Sequence, residues 1–403
     1  MNRFCTILTF IVFLVPGVSL AQDTVQLQLG QVIDVAIKNN AALQASELEV
    51  LRQEELVRSG YNWNKTNLFY SFDENNIAEN GDAIRVWGVS QSFAFPTVYH
   101  ASKQSLLANV SRKREEHLLN TYNLRKAASR AYFETAYFLA LDRRYSYLDS
   151  LYSNFANAAR RRFETGESNY LEQVTAEAKM KEAELRLAKN MQELNASYAN
   201  LQAILQSDSI IRIPENSFEK LSYSQQLSID NHPGIRLWES YELIADWQTQ
   251  AEKNRLLPDI QLSYFQGTNN LPSARIYRGF EVGLALPIFY GTQKGNIRAG
   301  KLQQTIAARQ GENYRKQLEA RQTILLSQLS QAQEALDYYE SSGRNLISEI
   351  VRASQRSFQE GEINYFQYIQ SLDNALNMEL TYLENLLQFN LTVVDLQYLT
   401  IEP

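Results

Sequence analysis

Two tracts of the chain, 97–213 and 288–402, carry apolar residues at three-to-four spacing and contain no proline. That spacing keeps one helix face apolar over many turns, and an interior proline costs a helix about 3 kcal/mol, so both tracts predict very long helices. In the first tract Ala131, Thr135, Phe138, Leu141, Tyr145, Leu148, Tyr152, Phe155 and Ala159 form one stripe, and Leu187, Met191, Leu194, Tyr198, Leu201 and Leu205 form another. Gly166, the sole glycine of 97–213, separates them, where a residue tolerant of left-handed backbone ends one helix and lets the next begin. Gly361 divides the second tract in the same way, ahead of Tyr382, Leu386, Phe389, Val393, Leu396 and Thr400. Gly291, Gly295, Gly300 and Gly311 weaken the helical expectation where that tract starts. Opposite the first stripe, Arg143, Arg144, Asp149, Arg160 and Arg162 read as a solvated face.

The two tracts repeat one another. Arg161, Phe163, Gly166, Glu167, Asn169 and Tyr170 recur 195 residues on (161 to 356) as Arg356, Phe358, Gly361, Glu362, Asn364 and Tyr365. A turn feeding a long helix, present twice, means a duplicated helical hairpin. We divide the chain into repeat one, 22–213, with a turn near 166, and repeat two, 214–403, with a turn near 361.

Ahead of each long helix the period changes from 3.6 to 2. In repeat one, Leu68, Tyr70 and Phe72 alternate with Phe69, Ser71 and Asp73. A second run then sets Trp87, Val89, Phe93 and Phe95 against Gly88, Ser90, Ser92 and Ala94. Repeat two gives Ile260, Leu262 and Tyr264 against Gln261 and Ser263, then Phe280, Val282, Leu284 and Leu286 against Gly279, Glu281, Gly283 and Ala285. Such alternation predicts strands at about 66–73, 84–95, 259–266 and 279–288, paired as hairpins. Pro96 and Pro287 close the strands and open the long helices.

Segment lengths then suggest an assembly. Helices at 29–60 and 169–206 together match an uninterrupted helix at 98–164, and helices at 222–257 and 364–400 match 291–360. Two shorter helices stacked beside one long one would make columns on the order of 100 Å. The strands have about the length that crosses a bilayer, with one face for lipid and one for a lumen. A soluble sandwich is the alternative. Four strands cannot close a barrel, so chains would have to share one. Two chains give eight strands, which their own side chains would fill. Three give twelve, which suits a lumen lined by glycine, serine and alanine. The predicted lipid-facing residues are Leu68, Tyr70, Trp87, Val89, Phe93, Ile260, Leu262, Phe280, Val282 and Leu284.

The first 21 residues have the form of a secretory signal, with Arg3 ahead of the apolar run Ile7 to Val15 and Ser19-Leu20-Ala21 at the cleavage position. The apolar run is too short to span a bilayer. Cleavage would remove Cys5, the single cysteine, leaving no disulfide and no cysteine for a lipid anchor. It would also remove Arg3, taking the formal charge from −6 to −7. Mild acidity argues against nucleic acid, which needs a concentrated basic face.

With these features in place, the chain resembles the TolC family of outer-membrane efflux ducts over essentially its whole mature length. The turn RRRFETGESNYLEQV and its second copy carry the resemblance. The stretch SFQEGEINYFQYIQSLDNALNMELTYLENLLQFN is similar to the CusC/CzcC-like branch that serves heavy-metal pumps. The resemblance implies a mainly α fold with a small β part. It implies a homotrimeric barrel in outer-membrane lipid, four strands per chain, continued by an α-helical barrel across the periplasm. Implied partners are a periplasmic adaptor and an inner-membrane pump of the resistance-nodulation-division type. It would place an adaptor-docking tip at Phe163, Thr165, Gly166, Glu167, Phe358, Glu360, Gly361 and Glu362. It would place the periplasmic aperture at Glu172, Gln367 and Gln370, where relatives of the founding duct carry acids at the second-repeat positions. Amides there would attract cations less than carboxylates do, so entrance charge would fall to Glu172 and the rim glutamates.

Other chemistry finds little support in the sequence. His100, His117 and His232 lie far apart, and Met180, Met191 and Met378 are the methionines beyond the leader, so no metal-ligand spacing is seen. No G-x-S-x-G, phosphate-binding loop or acid–base pair stands out, and neither an enzyme nor a cofactor is expected. The competing readings are a duct for organic solutes or secreted protein, and a soluble periplasmic coiled-coil scaffold.

Overall fold

The computed structural model describes residues 24–74, 83–223, 228–268 and 275–399. The predicted leader, 1–21, lies outside the described residues. The chain is mostly helical, and its strands follow the helix–hairpin–long helix order twice. Repeat one contains β1 (Thr24–Gln26), α1 (Leu29–Asn39), α2 (Ala41–Val57), a 3₁₀ turn (Arg58–Tyr61), β2 (Asn67–Asp73), β3 (Ile84–Phe93), α3 (Pro96–Glu164), α4 (Tyr170–Leu205) and β4 (Ile210–Arg212). Repeat two contains α5 (Pro233–Asn254), β5 (Asp259–Thr268), β6 (Tyr277–Ala285), α6 (Gly291–Tyr338), a π turn (Tyr339–Gly343), α7 (Arg344–Gln359) and α8 (Tyr365–Gln397). No described helix is long and apolar enough to cross a membrane.

The helices differ from expectation in three places, each with a local cause. The helix expected at 29–60 breaks at Asn40, whose extended backbone ends α1 and whose side chain accepts from the Leu43 N–H at 2.9 Å to cap α2. The Gln206 side chain, at a left-handed position after α4, accepts from the Ala41 N–H at 2.9 Å and ties the two segments together. The helix expected at 222–257 starts only at Pro233 and has 22 residues, because proline fixes the first helical position and His232 caps it. The column beside α6 and α7 is therefore not filled by helix end to end. Finally, the second long helix runs unbroken through its early glycines but carries the π turn, at which Tyr339 stacks on Tyr382 of α8, ring centroids 3.8 Å apart. Its counterpart α3 has 69 residues with no such turn.

Helix α8 packs against α6, α7 and α3. Leu386, Phe389, Val393 and Leu396 are buried on it, in clusters shared with Leu325 and Leu336 of α6. A second cluster joins α1, α3 and the end of α4 through Val32, Tyr132, Leu201 and Leu205. Two polar features fix this region. Asn390, fully buried, accepts from the Leu221 N–H at 2.9 Å and donates to the Glu219 carbonyl at 2.8 Å, pinning the irregular segment before α5. Asp395, 6% exposed, meets Arg130 at 3.1 Å and Lys126 at 3.2 Å on α3, and Arg321 of α6 at 2.9 Å.

His232 makes folding sensitive to acid. Its Nδ1 accepts from the Gly234 N–H at 3.0 Å, and burial, then Arg236 and Lys126, push its pKa from 6.5 down to about 4. The unfolded chain therefore binds a proton that the folded chain refuses between those two values. The stability that His232 contributes is expected to be full above 6.5 and to fall as pH drops toward 4, by roughly 3 kcal/mol in total. His232→Asn, which keeps a capping acceptor without the titration, is expected to flatten this acid slope in denaturant titrations across that window. An unchanged slope would remove His232 as its source.

One four-stranded antiparallel sheet has the order β2-β3-β5-β6, so the hairpins of the two repeats pair through β3 and β5. Strands β2 and β6 are its edges. A short parallel pair, β1 with β4, joins the start of repeat one to its end and carries no sequence signal above its three residues per strand.

Candidate functional site: sheet faces and helical turns

Register sorts the sheet into two chemically distinct faces. Directly opposed residues of antiparallel strands share a face. Leu68, Val89, Tyr264 and Phe280 form one cross-sheet row; Tyr70, Trp87, Gln266 and Arg278 form the next. On the other side of the former lie the rows Gln91, Leu262, Val282 and Phe93, Ile260, Leu284. All ten residues expected to face lipid thus lie on one side. Leu68, Phe280, Leu284 and Val282 are among the most exposed large apolar residues, at 79%, 72%, 65% and 62%. A contiguous exposed apolar face of this kind marks contact with lipid or another protein.

The opposite face is mostly polar and small, with an aromatic row and, in the next row outward, Tyr277 with Val86. Asn67, Ser90, Ser263 and Glu281 share a level, and Ser92, Gln261 and Gly283 share another. Between the strand ends lies the row Phe69, Gly88, Phe265, Gly279. Each ring covers a neighbouring glycine: a Cβ on Gly88 would sit 2.5 Å from Phe69 Cζ, and one on Gly279 would sit 2.2 Å from Phe265 Cζ. Glycine is required there because a side chain would collide with rings pressed against the sheet. The alternation of Phe69 with Leu68 was legible in the sequence; the pairing of its ring with Gly88 needs the register.

At the other end of the long helices, Gly166 and Gly361 both take φ of +76°, and each turn passes into a helix capped by asparagine. Asn169 accepts from the Glu172 N–H and Asn364 from the Gln367 N–H, both at 2.9 Å. The two repeats then diverge. Gln367 folds back to accept from the Asn364 N–H at 3.0 Å, completing a capping box, whereas Glu172 turns to Arg162 at 3.0 Å. Gln370 donates to Asn374 on its own helix at 3.4 Å. Glu172 is therefore an ion-paired side chain, 16% exposed.

Among the residues expected at the rim, Thr165, Gly166, Glu167, Glu360, Gly361 and Glu362 are exposed. Glu360 pairs with Arg356 at 2.8 Å, and Glu362 accepts from the Ser357 hydroxyl at 2.8 Å. Phe163 is 39% exposed beside Tyr170. Phe358 lies half-buried, stacked on Tyr368 at 4.8 Å and near Tyr365. Phe155 of α3 meets the same two tyrosines edge-on at 5.2 and 6.0 Å. This aromatic cluster binds the two hairpins together near their turns.

A polar latch beside that cluster was not anticipated. Asp373 of α8 accepts from the Tyr152 hydroxyl of α3 at 2.5 Å and from Lys179 of α4 at 2.7 Å. Burial, then the bond to Asp373, pushes the Tyr152 hydroxyl well above its ordinary range, and the same carboxylate raises Lys179. Desolvation pushes Glu182 up, but Arg186 and Lys179 outweigh it and leave it lowered. The raised Lys179 contributes fully below 10.5 and is lost only as pH rises above it, so the latch is charged at neutral pH. Farther along, Arg144 pairs with Glu379 of α8 at 2.6 Å and Arg160 with Glu177 of α4 at 3.1 Å. Arg144, Arg160 and Arg162, about half exposed, thus also bridge neighbouring helices. Their signal was available: Asp373 and Glu379 interrupt the apolar stripe of α8 beside Leu372 and Leu376.

Among the described residues no group of three or more His, Cys, Asp or Glu side chains could hold a metal ion. No family model matches the sequence, and no curated protein matches it. Solved structures do. CusC, described as undergoing transmembrane channel formation, is 18% identical with a TM-score of 0.75 over 96% of this chain and 95% of its own. The outer membrane protein VceC of Vibrio cholerae is 14% identical with a TM-score of 0.76 over 92% and 96%. The open state of the MtrE outer membrane channel of Neisseria gonorrhoeae is 17% identical with a TM-score of 0.72 over 93% and 88%. With each of them aligned along nearly its full length, the chain has the fold of the outer-membrane channels.

Proposed function

We propose that this protein is the outer-membrane exit duct of a tripartite efflux system. Three copies pool their sheets into a twelve-stranded barrel, and their helices continue it across the periplasm as a tunnel. Substrate passes through passively, delivered by an inner-membrane pump of the resistance-nodulation-division type and a periplasmic adaptor. The observation that carries this reading is a sheet with two unpaired edge strands, an exposed apolar face and a polar reverse. Such a sheet is satisfied by edge-to-edge closure with further copies in lipid.

Heavy-metal cations are the first choice of cargo, on the likeness of the second-repeat helix to the metal-exporting branch. The charged residues on the polar sheet face, Asp73, Asp259 and Glu281, are all acidic and favour cations. A second reading, export of organic solutes, is supported by the aromatic surface of Phe69 and Phe265 on that same face. Metal and drug sensitivity of a deletion strain separates them: selective metal sensitivity supports the first, selective sensitivity to organic compounds the second.

Cell fractionation tests the duct itself. Heat-modifiable trimers are expected in detergent extracts of the outer membrane; release by osmotic shock would instead indicate a soluble scaffold. At the tip, reversing charge at both Glu167 and Glu362 is expected to reduce crosslinking to the adaptor severalfold while trimers persist. Undiminished crosslinking would remove these residues from the docking surface.

A further inference from the structure

We propose that the end of the apolar sheet face remote from the helices binds phosphate-bearing lipid headgroups through Arg85 and Arg278. The inference rests on that face being the outside of the membrane barrel.

Charge is segregated across the sheet. On the apolar face the charged strand residues are Arg85 and Arg278; on the reverse they are Asp73, Asp259 and Glu281. Both arginines are exposed, and both lie at the strand ends away from α3 and α6. Arg278 occupies the row of Tyr70, Trp87 and Gln266, and Arg85 the next row outward, with Phe72.

Their height along the strands fits a headgroup level. From Arg278 to the end of β6 at Ala285 the strand advances seven residues. At about 3.4 Å per residue and a tilt near 40°, this is roughly 18 Å, most of the about 25 Å height of the apolar band on an outer-membrane barrel. The far end of the band is marked by Ile288 and Phe289, 74% and 96% exposed, and by Trp63 against Phe93. A guanidinium within the band would be costly, whereas at its margin it meets lipid phosphate.

The surroundings suit that ligand. Arg85 lies over the Phe72 ring at 5.6 Å. Tyr70 and Trp87, 65% and 52% exposed, stand in the adjoining row, where amphipathic rings favour the membrane interface. Guanidinium is planar, permanently charged and able to donate two parallel hydrogen bonds to one phosphate. Among the described strand residues no acid shares this face to compete for the guanidinium groups.

The test uses purified trimers in dodecylmaltoside micelles doped with phosphatidic acid or with phosphatidylcholine, with retained lipid counted by native mass spectrometry. Wild-type trimers are expected to retain phosphatidic acid about tenfold over phosphatidylcholine. Arg85→Gln with Arg278→Gln should abolish the preference, and Arg85→Lys with Arg278→Lys should keep part of it. Equal retention of phosphatidic acid by wild type and the glutamine variant overturns the proposal. Displacement of the lipid by inorganic phosphate overturns it too, since the surface would then be a free-anion site. If the chain forms no detergent-extracted trimer at all, the barrel reading itself has failed, which is a different result from trimers without lipid preference.

Discussion

Val282→Lys is expected to abolish accumulation of trimers in the outer membrane, while Glu281→Lys leaves it near wild-type levels. The two positions adjoin, but Val282 pairs with Leu262 on the apolar face and Glu281 with Ser263 on the polar one. Val282 is 62% exposed and lies near the middle of the apolar band. A lysine facing lipid there costs about 2–4 kcal/mol per chain, and a shared barrel incurs it once for every copy. Summed over three chains, that rivals the whole stability of a typical folded domain, about 5–15 kcal/mol. The lysine at 281 would project into water. Immunoblots of outer-membrane extracts, run with and without heating, read both outcomes. Equal trimer yield from the two variants would mean that the apolar face does not meet lipid.

Asp395→Ala is expected to destabilise the helical body by about 3 kcal/mol, the lower end for breaking a buried ion pair. The carboxylate is 6% exposed and is shared by Lys126, Arg130 and Arg321. Removing it leaves three cations, two on α3 and one on α6, without their shared carboxylate. Their side chains are 33%, 36% and 50% exposed, so water recovers part of the loss. This places the effect at the lower end. Arg321→Leu in the Asp395→Ala background should recover stability, because it removes an uncompensated charge, whereas Arg321→Leu alone should destabilise. A double-mutant cycle by denaturant unfolding measures the coupling. A change within about 0.5 kcal/mol for Asp395→Ala would show that the cluster is solvated rather than structural.

Much of the helix and strand layout could be read from periodicity because long helices and alternating strands leave strong, regular signals. The positions of β2, β3, β5 and β6 follow from alternation between Leu68 and Phe72, Trp87 and Phe93, Ile260 and Tyr264, and Phe280 and Leu284. What remained hidden depended on contacts between segments distant in sequence. The pairing of β3 with β5, which joins the two repeats, has no local signature. Nor does the parallel pairing of Thr24–Gln26 with Ile210–Arg212. The break at Asn40 was missed because asparagine is tolerated within helices, and only its bond to the Leu43 N–H reveals a cap.

At the tip, composition identified the turns but not the partners of their side chains. Gly166 and Gly361 stood out as isolated glycines between helical stripes, and both are left-handed. Glu172 and Gln367 occupy equivalent positions and were read as facing an aperture. Arg162 captures one, and the helix cap captures the other. Phe358, which the resemblance places at the rim together with Phe163, packs against Tyr365 and Tyr368, whereas Phe163 is 39% exposed. Repeats preserve backbone geometry more faithfully than side-chain partners, since each partner belongs to a different neighbouring helix.

Sharing of strands between copies is tested most directly by reconstituting the detergent-extracted protein in planar lipid bilayers after its mass has been determined. A particle of three chains that conducts ions is the predicted result. A water-soluble single chain that leaves the bilayer non-conducting would contradict it.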